Sequence, residues 1–201
     1  MSPSADVART TVAGQNWEGQ SLTGLEYAGV HFTDLDLTEA VLSSSRFTDC
    51  TFRGAQFNCS RHTDVAFVNC TFVNCTLFEA QFIDCKLTGS SFERCTFDLL
   101  TVQGGTWGHV ALVRADLRKA HFTAVRLVEA DFTAARLDGA ALRDCDLAGA
   151  LLQGATLAAC DLRGSDVSAL DPRAMDLRRV IVTYEQGVQI AAGLGLDLRP
   201  E

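Results

Sequence analysis

From Val12 onward the large apolar residues fall on a fixed beat of five. Steps of five from Val12 land on Trp17, Leu22, Tyr27, Phe32, Leu37, Leu42, Phe47, Phe52 and Phe57, and later on Phe67, Trp107, Phe132, Leu162, Val167, Leu177 and Val182. Only His62 and Pro172 break the apolar rule, and the phase never slips. The unit is plainest in Ala115-Asp116-Leu117-Arg118-Lys119: a small residue, a polar one, a large apolar centre, then two mostly polar residues. The residue two before each centre is usually small, as at Ala40, Ser45, Cys50, Ala55, Ser60, Cys70 and at most such positions from Ala115 to Ala155. Centre and companion are both expected to point inward. A period of five fits neither the 3.6 of an amphipathic helix nor the 2 of a half-buried strand. It fits a solenoid, in which each unit is too small to bury its apolar face alone and stacks on its neighbours.

On these units the chain resembles the pentapeptide-repeat proteins, whose consensus is Ala-Asp/Asn-Leu-x-x. The resemblance implies an all-β solenoid, a right-handed quadrilateral β-helix in which four units make one square turn. Residues twenty apart would then stack at the strand spacing of about 4.8 Å, giving about eight and a half turns and a rod of about 40 Å. Two ladders follow from the numbering: Phe32, Phe52, Phe72, Phe92, Leu112, Phe132, Leu152, and Tyr27, Phe47, Phe67, Leu87, Trp107, Leu127. Eleven of the twelve phenylalanines fall on centres, Phe78 alone standing off them. His62 falls between Leu42 and Phe82 and is expected to be buried and neutral.

The expected organisation is a polar tail over residues 1–11, the β-helix over 12–182, and a capping helix with a dimerisation tail over 183–201. Gln15, Gln20, Leu25, Val30 and Leu35 stand where small residues belong, which predicts a wide or frayed first end. Residues 98–112 are the least regular interior stretch, with Leu100 and Val110 at small positions and three glycines around Trp107, and a local distortion is expected there. Thr183 with Gln186 three on is a capping-box signature, followed by apolar Tyr184, Val188, Ala191 and Ala192 and by Gly193 as terminator. Leu194, Leu196 and Leu198 alternate as in a short strand, and an exposed strand edge invites a second subunit.

Composition narrows the chemistry. No run approaches a membrane span, and the start Met1-Ser2-Pro3-Ser4 lacks a charged and apolar leader pattern, so a cytoplasmic protein with no membrane contact is expected. Seven of the eight cysteines (Cys50, Cys70, Cys75, Cys85, Cys95, Cys145, Cys160) hold the small inward position, where a free thiol packs as a small hydrophobe; only Cys59 does not. Their spacings match no zinc pattern. Neither metal nor cofactor is expected, and with no activated nucleophile in view and no deep pocket on a rod, neither is an enzyme.

The formal charge is −8, and no Lys or Arg occurs between Arg9 and Arg46, where Glu18, Glu26, Asp34, Asp36 and Glu39 all fall. Such a field repels nucleic acid and attracts basic surfaces. Leu170 to Arg173, the run Asp176 to Gln186 and the short helix after it resemble the closing coil of the Qnr and MfpA branch. The unbroken register is closer to its loopless MfpA-like form. That resemblance implies an acidic homodimer, joined through its C-terminal end. It would mimic DNA, bind DNA gyrase or topoisomerase IV, and confer resistance or self-immunity against fluoroquinolones or other gyrase poisons. Under it Asp116, Asp131, Asp146, Asp161, Asp166, Asp171 and Asp176 would stand in for phosphates, with Glu26, Asp34 and Asp36 extending the field. Val180, Ile181, Val182, Tyr184, Val188, Leu194, Leu196 and Leu198 would cap and dimerise. The alternative is an interaction scaffold with no topoisomerase contact. Contiguous acid near the dimer centre would favour mimicry, and mixed charge there a scaffold.

Overall fold

The computed structural model describes residues 10–199, so all but the last two residues of the expected polar tail lie outside it. The chain winds as a four-sided parallel β-solenoid. Among the described residues fifteen three-residue strands, from Thr11–Ala13 to Ala141–Arg143, pair in parallel at a register of twenty residues. The first side carries a five-stranded sheet, the third a seven-stranded one and the fourth a three-stranded one. The second side, built on Trp17, Leu37, Phe57 and Leu77, is held by single bridges such as Asp36↔Gln56. Its corners close as tight turns, Ala40 N–H donating to Leu37 C=O at 3.0 Å.

Why the chain turns every five residues is visible two places after each centre. There the backbone enters the left-handed region, at Asp34 (φ 52°), Asp49 (53°), Asn69 (52°) and Asn74 (53°). L-residues resist that conformation, glycine does not, and Asn and Asp tolerate it. Eleven of the sixteen glycines occupy this place. The sequence reading rested on inward positions and left this corner signal unused.

Both ladders form as numbered. Phe32, Phe52, Phe72 and Phe92 stack face to face, with centroids 5.0, 5.0 and 4.5 Å apart and planes within 9°. Neighbouring columns meet edge to face, as Phe47 does Phe52 at 66°. Both geometries suit the aromatic quadrupole. The small companions do more than fill space. Ser90 Oγ accepts the Cys70 N–H at 2.9 Å and donates to Phe67 C=O at 2.9 Å, and Cys70 Sγ lies 3.4 Å from Phe47 C=O. Hydroxyl and thiol thus satisfy inward backbone groups that a methyl would leave unpaired.

The first end frays only at its tip: Gln15 and Gln20 are exposed, whereas Val30 and Leu35 are buried despite their bulk. Within 98–112 the ladder is kept around Trp107, with Lys86↔Thr106 and Thr106↔Arg126 in register, and the expected distortion falls only at the start of the stretch, at Leu99. Gly105 meets a local need there. It takes φ 79° directly over the rung below, where a Cβ would come 2.1 Å from Cys85 O. The real irregularity lies across the rod at the height of Trp107. Among the described residues no bridge joins Thr96 to Asp116, and no backbone hydrogen bonds link Phe97 or Leu99 to the rung above. Trp107, the largest core side chain, lies nearly parallel to Phe92 at this level.

At the other end the helix Tyr184–Gly193 closes the rod with the capping box in place: Gln186 N–H donates to Thr183 Oγ1 at 3.3 Å and Thr183 N–H to Gln186 Oε1 at 2.7 Å. Its docking face differs from the expected stripe. Tyr184 and Val188 are exposed, while Gln186 is buried and Ile190 packs on the core. The cause is polar. Ile181 still pairs over Asp161, but past Val182 the helix replaces the next stretch of rung, and Gln186 Nε2 donates to the Leu162 and Ser165 carbonyls, at 2.7 and 2.6 Å. The helix ends one step later than expected, with Leu194 as cap and left-handed Gly195 (φ 88°) after it; Gly193 instead allows a close approach of Pro172. Leu194, Leu196 and Leu198 form no strand among the described residues, because no neighbouring edge offers them a ladder.

Candidate partner-binding surface

The twenty-residue register assigns every outward side chain to a side. The seven aspartates chosen from the repeat do not share one. Asp116 and Asp176 fall on the second side, Asp131 and Asp171 on the first, Asp146 and Asp166 on the fourth, and Asp161 on the third. Their shared feature is local. Each stands just before a centre, where its Oδ1 accepts a backbone N–H two residues on, as Asp131 does from Thr133 (2.8 Å), Asp166 from Ser168 (2.8 Å) and Asp171 from Arg173 (2.9 Å). Asp36 does the same toward Thr38 at 2.9 Å. These are Asx-type turns.

Three of the seven are also neutralised. Asp161, its side chain only 9% exposed, is gripped by Arg143 and Arg163, which hold its carboxyl well below the usual range, the Arg163 hydrogen bond first. Asp116 is held by Arg118 at 2.7 Å and Arg136 at 3.3 Å, and Asp176 by Arg178 at 2.7 Å, each with its pKa lowered by the arginine two residues on. Near the C-terminal end the charge is therefore mixed.

Acid unmixed with base lies elsewhere. Outward positions of the second side from Asn16 to Leu99 carry Glu18, Asp36, Glu39, Glu79 and Asp98 and no Lys or Arg. Among the described residues the first four make no ion pair, and Asp98 meets Lys119 at 3.2 Å where the basic residues begin. The five span four rung spacings, about 19 Å. Phe78, off the core beat, is 43% exposed beside Glu79 on this side. Of the acidic positions chosen from the sequence only Asp36 belongs to this strip, with Asp34 at its corner; Glu26 lies on the opposite, fourth side beside Arg46. Glu18 and Glu39 were seen only as part of an acidic run and not chosen, and Glu79 and Asp98 were missed, because all were read by linear order. Sorting residues by remainder on division by twenty finds them.

The end positions split similarly. Val180 and Val182 pack partly inward, whereas Ile181, Tyr184, Val188, Leu194, Leu196 and Leu198 remain exposed, from 37% at Val188 to 84% at Tyr184. His62 is fully buried. Ser60 Oγ donates to Phe57 C=O at 2.7 Å, so it accepts from His62 Nε2, 2.9 Å away, and the ring is the neutral Nε2–H form. Burial holds its pKa down to about 3. No group of three or more His, Cys, Asp or Glu among the described residues could hold a metal, and no helix among them is long and apolar enough to cross a membrane.

Two repeat-family descriptions match the chain: "Pentapeptide repeat region" over residues 75–152 and "Pentapeptide repeats (8 copies)" over 28–60 and 142–169. No curated protein matches by sequence. Among solved structures, a trypsin-treated form of QnrB1, a plasmid-mediated fluoroquinolone resistance protein, aligns at TM-score 0.56 and 20% identity over 96% of this chain and 98% of that one. HetL, a pentapeptide repeat protein involved in heterocyst differentiation regulation from the cyanobacterium Nostoc, aligns at TM-score 0.34 and 20% identity over 87% and 90%. At such identity the QnrB1 likeness speaks for the fold alone.

Proposed function

Since the chain is a pentapeptide-repeat protein, we propose that it is a DNA-mimicking binding rod of the loopless MfpA-like kind, which engages DNA gyrase or topoisomerase IV and protects it from fluoroquinolones or other gyrase poisons. The carrying observation is the acidic strip of the second side, Glu18 to Asp98, with four carboxylates free of any cation among the described residues. Unpaired carboxylates along a rigid edge suit a basic groove that normally holds a phosphate backbone, and the strip repels nucleic acid itself. The phosphate surrogates are reassigned accordingly, from the seven turn-forming aspartates to this strip. In this reading the exposed apolar residues Ile181, Tyr184, Leu194, Leu196 and Leu198 join two copies end to end, leaving the acidic strips on the outer arms.

The test is a gyrase supercoiling assay with and without a fluoroquinolone, using the enzyme of the native host. Single surface carboxylates matter little, so Glu18→Gln, Glu39→Gln and Glu79→Gln are combined. The expected result is inhibition or rescue by the native protein, weakened by salt and reduced roughly tenfold in the triple variant. A control with Asp131→Asn and Asp166→Asn should behave as wild type. Equal loss in both variants, or no effect on either topoisomerase, would overturn the reading. A second reading, a scaffold with no topoisomerase contact, draws on the mixed charge near the C-terminal end, where Asp161 and Asp176 are held by arginines. A null supercoiling assay with an intact dimer would favour it.

A further inference from the structure

The breach opposite Trp107 changes the status of one core position. Elsewhere in the interior the small inward thiols are sealed between rungs: Cys50, Cys70, Cys75 and Cys85 are each 1% exposed. Cys95 is only half-buried, because the rung above it does not bond back. On the second side a hollow of ≈ 400 Å³ opens at this level between Cys95, Asp98, Asp116 and Lys119, and on the first side another of ≈ 330 Å³ is lined by the same Cys95 with Glu93 and Arg114. The Asp98–Lys119 ion pair spans the mouth. One rung below stands Cys75, in register through the bridge Thr76↔Thr96. Its Cα is therefore about 4.8 Å from that of Cys95, within the range a disulfide spans.

We propose that Cys95 is a peroxide-sensitive thiol with Cys75 as its resolving partner, a modification site created by the break in the ladder. The Cys95 thiolate attacks one oxygen of a hydroperoxide; the S–O bond forms, the O–O bond breaks and hydroxide leaves. Cys75 sulfur then attacks Cys95 sulfur, the S–S bond forms, and the sulfenic oxygen leaves as water with the Cys75 proton. Two electrons pass from sulfur to peroxide, and the product is a staple across two rungs. The neighbouring Cys75 thiol lowers the Cys95 pKa, which favours attack. A second stacked pair, Cys70 over Cys50, also has one thiol lowered and one raised, here the lower one lowered, but both its thiols are sealed, so access is what separates the two pairs.

That pair is the internal control. The native full-length protein is treated with hydrogen peroxide and then alkylated, and each cysteine is followed by peptide mass spectrometry. Cys95 should react at least roughly tenfold faster than Cys50, Cys70 or Cys75, and a Cys75–Cys95 disulfide should accumulate while Cys50 and Cys70 stay reduced. In Cys75→Ser the disulfide is lost and a sulfenic acid at Cys95 is trapped by dimedone. In Cys95→Ser neither product forms. Equal reactivity of the two pairs, reaction at exposed Cys59 alone, or Cys95 oxidation without engagement of Cys75 would overturn the proposal. Circular dichroism of both Ser variants verifies that the fold is kept.

Discussion

At the scale of the residue, His62 shows how a polar group is accommodated in an aromatic stack. Its ring lies 4.7 Å from Phe82 and nearly parallel to it, with one nitrogen donating to Ser60 and Nδ1 left without a partner. Protonation inside would place an unpaired charge in this stack, which is why the folded pKa falls to about 3 from an unfolded value near about 6.5. The unfolded chain therefore binds the proton first, and stability declines as pH falls from about 6.5 toward 3. The loss is about 2 kcal/mol by pH 5. Urea unfolding at pH 7.5 and pH 5 measures it. In His62→Phe, which keeps the stack, that part of the pH dependence should vanish; an unchanged difference would mean other groups carry it. The sequence foretold the place and the neutrality of His62 from its position on the beat. The Ser60 contact follows from a companion two residues earlier, whose hydroxyl reaches the ring only because both point inward.

At the scale of the element, the repeating side is generic and the ends are specific. Apart from the break above Thr96–Leu99, interior rungs have their backbone groups met by neighbours about twenty residues away, so turn chemistry and inward size suffice to define them. Past Val182 the next stretch of rung is missing, replaced by the helix. Gln186 repairs this by donating to Leu162 and Ser165 while also closing the capping box. Gln186→Ala should cost about 1–3 kcal/mol, since it leaves buried carbonyls unpaired. Hydrogen exchange should quicken selectively from Leu162 to Val182, and protection unchanged from wild type would show that the helix is not what seals the end. The capping box was legible because it is a local pattern. The docking face was misjudged because apolar spacing points to Tyr184 and Val188, and only the unpaired carbonyls beneath the helix select Gln186.

At the scale of the whole molecule, what matters is which sides the charges and apolar residues reach. The fourfold winding gathers Glu18, Asp36, Glu39, Glu79 and Asp98 on one side and scatters the seven repeat aspartates over all four. The exposed apolar end makes a further prediction. Leu196 and Leu198, 56% and 52% exposed, should be covered by a second copy, so Leu196→Asp with Leu198→Asp should convert dimers to monomers in sedimentation velocity. A wild-type protein that is already monomeric, or a variant still dimeric, would remove these leucines from the interface.

The sequence alone determined the period and the inward positions, which recur every five residues, and the helix start, which rests on a local pattern of Thr183 and Gln186 three apart; the ladders followed once the family resemblance supplied four units per turn. Tertiary structure alone decided which aspartates are paired with arginines and where the ladder opens beside Cys95. Those depend on groups brought together across rungs. A linear beat carries neither quantity.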